Sequence, residues 1–219
     1  MISVLNAKKA YTKEVKIGPL SAQIPKAGIT SLIGPNGAGK STMLLMIGRL
    51  LDIDEGQIDV AKMNICSANS ESLARILTKE DEKIISKYID LLGLKELENR
   101  YLEELSGGQH QRAYVAMVLS QETEYVLLDE PLNNLDVARS VQMMEHLRCV
   151  ADEFGKTILT VMHDINFATK YSNRIYAMKE GKIAASGSVE QIMNSKLLTT
   201  IFETKIEIIH GPHGPIAVY

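Results

Sequence analysis

The sequence has little of what marks secreted, nucleic-acid-binding or membrane-spanning proteins. Its only two cysteines, Cys66 and Cys149, have no metal-type spacing, so we expect reduced thiols of a cytosolic protein. The formal net charge is -3 without a basic stripe, which argues against nucleic acid as a main partner. The longest apolar run, residues 113–119, is far shorter than the roughly 20 residues of a membrane helix. The N-terminus lacks a basic start before a long apolar stretch, so no signal peptide is expected.

The composition is otherwise that of a globular protein with a sizeable core. The chain has 219 residues, of which 45% are hydrophobic and 23% charged. Strand and helix patterns alternate along it, which predicts an α/β fold with a mainly parallel sheet. The predicted helices are 41–51, 71–104, 106–121, 137–154 and 165–171, and the predicted strands are 29–33, 125–128 and 157–162, with a hairpin over 175–178 and 182–185. The rest of residues 1–60 is predicted to form strands and turns.

One segment matches a complete phosphate-binding loop. Residues 34–41 fit the pattern G-x-x-x-x-G-K-[ST] between a predicted strand and a predicted helix, a context that favours this interpretation over a simple glycine-rich turn. In such a loop the backbone N–H groups surround phosphates, and the helix N-terminus adds positive charge. We expect Lys40 to reach the β- and γ-phosphates and Ser41 to supply an oxygen to Mg²⁺. The predicted nucleotide-binding residues are Gly34, Pro35, Asn36, Gly37, Ala38, Gly39, Lys40, Ser41 and Thr42.

Two carboxylates follow the apolar strand predicted at 125–128. Asp129 at the strand tip is suited to hold Mg²⁺, partly through water, and Glu130 to take a proton from an attacking water. An ordinary strand-to-loop junction is the alternative, because acidic residues are common there. The phosphate-binding loop elsewhere in the chain favours the functional interpretation.

A Ser-Gly-Gly-Gln segment begins the helix predicted at 106–121. Ser106 and Gln109 have the spacing of a capping box, which is a purely structural interpretation. Gly107 and Gly108 weaken a helix by about 1 kcal/mol each, and a cap does not need them. They are explained if a ligand such as an anion touches the backbone there.

In this order, the three motifs resemble the ATP-binding subunits of ABC transporters over nearly the whole chain, with Leu-Ser-Gly-Gly-Gln at 105–109 as the most specific part. The resemblance implies a P-loop NTPase core with a mainly parallel sheet, an N-terminal antiparallel β part and a shortened helical subdomain that carries this signature. It implies a single nucleotide-binding domain over 1–219, with 1–66 and 122–219 as the ATP-binding core and about 67–121 as the truncated helical subdomain.

The resemblance also implies cofactors, partners and roles. The cofactors are ATP and Mg²⁺, and two copies sandwich two ATP molecules head to tail. Further partners are an integral-membrane permease and, indirectly, a substrate-binding protein, with no nucleic acid; the location is cytoplasmic, peripheral on the inner face of the cell membrane. Tyr11 would stack on adenine, unless it is a half-buried strand tyrosine. His163 would be a second catalytic residue beside Glu130, and His163 would contact the γ-phosphate. The residues implied to bind nucleotide in trans are Ser106, Gly107, Gly108, Gln109 and Asp136.

The chain departs from the family between its phosphate loop and its signature. No glutamine occurs between Gln57 and Gln109, so the family's Q-loop glutamine is absent, together with the loop that normally meets the permease. The join is expected near 68–78, and either the segment is deleted or the sequence given omits it. If the 219 residues are the whole molecule, we expect the chain to bind nucleotide, to hydrolyse it poorly and to support little transport, because the contact with the permease is impaired.

Within the family, segments 113–120, 131–136, 140–144 and 163–168 are most similar to bacterial iron–siderophore importer ATPases. Vitamin B12 and haem importers are close alternatives, because no residue of such a subunit touches the cargo. Two other classes are a nucleotide-binding ABC protein uncoupled from transport and a soluble ABC ATPase of DNA repair or translation. The second class usually has a coiled-coil insertion or tandem cassettes, which this chain lacks. A small-molecule kinase is disfavoured, since it does not require the 105–109 motif.

Overall fold

The computed structural model describes residues 1–12, 14–60, 77–212 and 214–219. Within these ranges the elements, in chain order, are β1 (Ile2–Ala10), β2 (Lys16–Ile24), β3 (Gly28–Ile33), α1 (Lys40–Ile47), β4 (Glu55–Val60), α2 (Lys79–Leu91), α3 (Gly107–Leu119), β5 (Tyr125–Asp129), α4 (Val137–Glu153), β6 (Thr157–Val161), α5 (Ile165–Tyr171), β7 (Arg174–Lys179), β8 (Lys182–Gly187), α6 (Val189–Ile192), α7 (Ser195–Phe202), β9 (Glu207–Gly211) and β10 (Gly214–Val218). Two short 3₁₀ turns, Lys95–Leu97 and Leu102–Glu104, lie between α2 and α3.

The central sheet has five strands in the order β5-β6-β3-β7-β8. The first four strands are parallel, and β8 pairs antiparallel with β7 as the predicted hairpin. A separate antiparallel sheet, β2-β1-β4, forms the N-terminal part. The predicted α/β fold, with a mainly parallel sheet and an N-terminal antiparallel part, is confirmed.

Strand register brings three chain segments to one edge of the central sheet. Leu32 of β3 and Asp129 of β5 are both paired with Val161 of β6. Because these strands are parallel, the residues that follow them all leave the sheet at its carboxyl edge. The phosphate loop, the acidic pair and His163 are therefore neighbours there.

The central strands are buried on both faces, and each face has its own hydrophobic core. Successive side chains of a strand point to opposite faces, so Ile158 and Leu159 of β6 enter different cores. Leu159 packs with Met43 of α1 on the side of the N-terminal sheet. Ile158 packs with Leu147 of α4 on the opposite side. This two-sided burial explains the continuous apolar runs that predicted these strands.

The helical part, which contains α2 and α3, is joined to the central sheet through Glu122. The hydroxyl of the buried Tyr88 donates to Glu122 Oε1 at 2.6 Å, and Lys156 Nζ lies 3.3 Å from Glu122 Oε2. The hydrogen bond from Tyr88 and the nearby charges of Lys156 and Lys87 lower the pKa of Glu122 below its usual value. An ionised Glu122 thus fixes α2 against the loop before β5 and the start of β6.

The predicted helix 71–104 is only partly correct. Residues 71–76 lie outside the described residues, and α2 begins at a capping box made by Thr78 and Asp81. It stops before Gly93, whose φ of 61° is left-handed, and the chain up to 104 contains 3₁₀ turns instead. The predicted helix 41–51 likewise ends at Ile47, because Gly48 caps it and Arg49 has a φ of 54°.

Residues 186–219 contain elements that the sequence analysis did not predict. They form α6, α7 and the β9–β10 hairpin. Local signals for both helices are present in the sequence, because Ser188 forms a capping box with Gln191 and Asn194 caps α7. Among the described residues, no helix has the length and apolar character needed to cross a membrane.

Candidate active site

The phosphate loop has the backbone geometry that its glycines allow. Gly34 and Gly39 have φ values of 145° and 95°, which disfavour other residues. A side chain at Gly34 would collide with the carbonyl oxygen of Met178, and Gly39 is the N-cap of α1. The loop therefore keeps its backbone exposed toward a ligand at the start of a helix.

Lys40 is buried inside this loop. Its Nζ donates to the carbonyl oxygens of Gly34 and Pro35 at 2.8 and 2.9 Å. Burial lowers the pKa of Lys40, while the charges of Glu130 and Asp129 act in the opposite direction. The ammonium is thus held in place by the loop that precedes α1.

Ser41 and Asp129 lie in contact. Ser41 Oγ donates to Asp129 Oδ1 at 3.1 Å, which joins the first turn of α1 to the end of β5. A hydroxyl and a carboxylate oxygen are hard ligands of the type that Mg²⁺ prefers. The structure therefore brings the two residues predicted for the metal to one place.

Glu130 is held in an unusual conformation by two neighbours. Its φ is 51°, in the left-handed region, which costs a non-glycine residue on the order of 1–3 kcal/mol. Asn133 Nδ2 lies 2.5 Å from Glu130 Oε2, and His163 Nε2 lies 2.5 Å from Oε1. Burial would raise the pKa of Glu130, but these contacts and the charge of Lys40 bring that pKa below its ordinary value. The carboxyl group is therefore ionised near neutral pH and has a fixed direction.

Glu130 and His163 line a cleft at the carboxyl edge. Its volume is about 270 Å³, and its lining includes Glu130, Asn133, His163, Asp164 and Val137. A larger cavity of about 500 Å³ lies between the helices of the helical part and is mostly apolar. Size alone therefore does not identify the site, whereas the titratable groups do.

Tyr11 follows the end of β1 and is not a half-buried strand tyrosine. It is 52% exposed, and its hydroxyl lies 3.1 Å from Thr42 Oγ1. An aromatic face thus lies beside the residue that follows the phosphate loop.

The Ser-Gly-Gly-Gln segment forms the predicted capping box. The Ser106 N–H donates to Gln109 Oε1 at 2.9 Å, and the Gln109 N–H is 3.5 Å from Ser106 Oγ. The two glycines between them have different surroundings. A methyl group on the exposed Gly107 would meet only Asn134 Cβ, at 3.6 Å.

Gly108 is buried under the chain that follows the acidic pair. A methyl group there would lie 3.1 Å from an Arg139 guanidinium nitrogen and 3.2 Å from Leu135 Cδ2. Close packing is thus sufficient to explain why residue 108 is glycine, and no sequence pattern indicated this packing. Arg139 is itself held by Asp136, which caps α4 by accepting from the Arg139 N–H at 2.8 Å.

Two alanine substitutions are expected to separate the roles of these glycines. Gly107→Ala is expected to raise the free energy of unfolding by about 0.5–1 kcal/mol, since alanine favours the helix and no atom must move. Gly108→Ala is expected to gain less or to destabilise, because Arg139 and Leu135 must shift. Urea unfolding of both variants measures this difference, and equal stabilisation would contradict it. If Gly107 also serves a ligand, its variant loses ATPase activity despite higher stability.

A phosphate loop after β3, a carboxylate pair after β5 and a histidine after β6 define a P-loop nucleoside triphosphatase. The family model described as ABC transporter matches residues 17–133, and the chain belongs to this family. It is an ABC-type ATPase, which binds and hydrolyses ATP.

Curated relatives match along the full chain. The chain is 66% identical to the petrobactin import ATP-binding protein FatE of Bacillus anthracis over 250 positions, which cover 100% of both chains. It is 38% identical to the petrobactin import ATP-binding protein YclP of Bacillus subtilis, over 100% of this chain and 99% of that protein. The first alignment has 31 more positions than the 219 residues of this chain.

Solved structures support the fold. A chain of a metal-chelate type ABC transporter in an inward-facing conformation matches with a TM-score of 0.85 and 23% identity, over 100% of this chain and 97% of that chain. A dimeric bacterial ABC transporter cassette matches with a TM-score of 0.72 and 26% identity, over 86% of this chain and 99% of that chain.

Proposed function

We propose that the chain is the ATP-hydrolysing subunit of a bacterial importer of iron–siderophore complexes. Two full-length relatives, 66% and 38% identical, are petrobactin import ATP-binding proteins. A ferric enterobactin transport ATP-binding protein of Escherichia coli is 32% identical over 92% of the chain. The relatives do not favour the vitamin B12, haem or uncoupled alternatives.

The observation that carries the ATPase mechanism is the meeting of Lys40, Asp129, Glu130 and His163 at the carboxyl edge. We infer that Lys40 and the 34–42 backbone bind the phosphates, and that Tyr11 stacks on the adenine. Ser41 and Asp129 would hold Mg²⁺, whose chemistry is to neutralise charge on the β- and γ-phosphates.

Glu130 would accept a proton from the attacking water. Its pKa is lowered, so it is ionised, and Asn133 and His163 fix its direction. In the same proposal, His163 Nε2 leaves Glu130 to contact the γ-phosphate when nucleotide is bound. In this proposal, Glu130 and His163 are in contact before nucleotide binds, and nucleotide binding separates them.

We propose that the nucleotide site is completed by a second copy. The residues proposed to act in trans lie at the starts of two helices: Ser106, Gly107, Gly108 and Gln109 at α3, and Asp136 at α4. The two helix starts are in contact, because Arg139 and Leu135 pack against Gly108 and Asp136 accepts from the Arg139 N–H. Both helix starts would then move as one unit toward the γ-phosphate of the partner copy. The dimeric cassette among the solved structures supports this arrangement.

The proposed architecture is one nucleotide-binding domain over 1–219, with the core at 1–66 and 122–219 and the helical signature subdomain at about 67–121. Residues 61–76, which include most of the expected join at 68–78, lie outside the described residues. In this proposal the domain sits in the cytoplasm on the inner face of the membrane. It binds a permease there and acts indirectly with a substrate-binding protein.

Import is tested by complementation of cells that lack the native ATPase. The measurement is the uptake of radioactive iron supplied as its siderophore complex. Two versions are compared: the 219-residue chain, and the same chain with the roughly 30 additional residues of the Bacillus anthracis relative inserted near 70–77. We expect the lengthened version to restore uptake and the short version to restore little of it.

A lengthened version carrying Lys40→Ala is the matched negative control. Absence of uptake with the unmutated lengthened version, despite normal ATPase activity, would overturn the assignment to siderophore import. Full uptake with the short version would show that the inserted segment is dispensable.

A further inference from the structure

Two asparagines lie side by side in the loop between β5 and α4, and the backbone explains only one of them. Asn134 has a left-handed φ of 62°, a conformation in which asparagine is enriched. Asn133, which also lies within the described residues, does not have a positive φ. Asn133 is exposed, so burial does not determine its residue type either. The presence of asparagine at position 133 therefore has to be explained by what its amide group contacts.

The amide group of Asn133 contacts one carboxylate oxygen of Glu130. Asn133 Nδ2 donates to Glu130 Oε2 at 2.5 Å, whereas His163 Nε2 lies 2.5 Å from the other oxygen, Oε1. All three side chains line the cleft at the carboxyl edge. Each oxygen of the proposed base thus has its own neighbour, and the two oxygens are not equivalent.

The loop itself holds the Asn133 amide within reach of Glu130. The Asn133 N–H donates to the Glu130 carbonyl oxygen at 3.1 Å, which closes a turn of four residues. Pro131, the second residue of this turn, is buried, and its ring fixes φ. Leu132 and Leu135 pack against the hydrophobic core on the α4 side of the central sheet. The turn and its apolar neighbours therefore set the position of the amide.

The two contacts of Glu130 are expected to respond differently to nucleotide. His163 is proposed to leave Oε1 for the γ-phosphate, and its departure frees that oxygen. Asn133 belongs to the same turn as Glu130, so its bond to Oε2 can remain when nucleotide binds. A carboxylate with one oxygen held in this way presents the other oxygen in a fixed direction, which is what a base needs for efficient proton transfer.

We propose that Asn133 is a positioning residue that makes Oε1 of Glu130 the oxygen that accepts the proton. This inference rests on the proposed role of Glu130 as the base. In the reaction the water oxygen bonds to the γ-phosphorus, the bond from that phosphorus to the ADP oxygen breaks, and its electron pair stays with ADP. The water proton passes to Oε1, while Oε2 keeps its bond to the Asn133 amide. Asn133 itself exchanges no proton.

The test is the steady-state release of phosphate by the full chain over a range of Mg-ATP concentrations. Asn133→Ala removes the amide donor. We expect this variant to lower kcat about 10–100-fold at an unchanged KM, a loss of the size that a misplaced reacting group causes. Asn133→Gln keeps the donor and should recover most of the rate, because residue 133 is exposed and a longer side chain has room to reach the same oxygen.

Asn99→Ala is the matched control for this series. Asn99 is an exposed asparagine between α2 and α3, so its variant removes the same amide group away from the loop that follows β5. We expect its kcat and KM to match those of the unmodified chain. Normal kcat in Asn133→Ala would overturn the inference, and so would a kcat of Asn133→Gln as low as that of Asn133→Ala.

A double variant tests whether Asn133 acts through Glu130. Because the bond joins these two side chains, Asn133→Ala is expected to have little further effect on a chain that already carries Glu130→Gln. Single-turnover phosphate release measures the slow rates of both chains. An equal fold loss in the two backgrounds would show that Asn133 acts independently of Glu130, and it would overturn the inference.

Two comparisons separate the possible failures. The urea midpoint of Asn133→Ala should equal that of the unmodified chain; a lower midpoint together with a raised KM would mean that Asn133 serves only the folding of the loop, which overturns the inference. If Glu130→Gln is slow while Asn133→Ala is normal, Glu130 remains the base and only the role of Asn133 fails. If Glu130→Gln hydrolyses ATP normally, the proposed base fails and the role of Asn133 with it.

Discussion

Replacing Lys40 by alanine is expected to weaken ATP binding at least about 100-fold. Charge-assisted hydrogen bonds contribute about 1.5–3 kcal/mol each, and Lys40 is expected to contact two phosphates. The substitution also removes the donor to the carbonyl oxygens of Gly34 and Pro35. Calorimetric titration with Mg-ATP measures the loss.

The matched control for this experiment is Lys196→Ala, because Lys196 is exposed on α7, far along the chain from the phosphate loop. It removes the same charge and is expected to leave ATP affinity unchanged. Near-normal affinity or ATPase activity in Lys40→Ala would contradict the assignment of 34–41 as the phosphate loop.

Replacing Glu130 by glutamine is expected to slow ATP hydrolysis by about 10²–10⁴-fold, the usual contribution of a general base. Glutamine has nearly the same shape, so ATP binding should remain and the ATP-bound dimer should accumulate. Single-turnover phosphate release measures the rate, and size-exclusion chromatography with Mg-ATP measures the dimer.

Glu203→Gln is the control for this change. Glu203 also has a left-handed φ, of 55°, but it lies at the end of α7 and pairs with Lys179. The two variants share the chemical change and the backbone conformation, and only the first is expected to lose activity. A Glu130→Gln chain that hydrolyses ATP normally would exclude Glu130 as the base.

The parts of the site that local sequence determines were predictable. The phosphate loop needs glycines at fixed positions because of its backbone angles, and Asp129 ends a strand whose apolar run is visible in the sequence. The strand order that places His163 beside Glu130 has no local signal. The resemblance to a family, rather than spacing, predicted that His163 belongs to the site.

Features that depend on distant contacts were not predictable. The bond of Asn133 to Glu130 depends on the left-handed turn at Glu130, which no local pattern indicated. The packing of Gly108 against Arg139 joins two helices far apart in sequence. The β9–β10 hairpin has short strands, and its inner face becomes apparent only once α5 is in place.

The position of β6 between β3 and β5 sets the distance between the ends of those two strands. Neighbouring strands lie about 4.8 Å apart, so the ends of β3 and β5 are separated by about 9.6 Å. The phosphate loop begins at the end of β3 and crosses this gap, since Ser41 bonds Asp129 at the end of β5. His163 follows β6, the strand between them, and contacts Glu130. Backbone pairing of the sheet thus sets the span that the loop must bridge before Lys40 and Ser41 can reach the acidic pair.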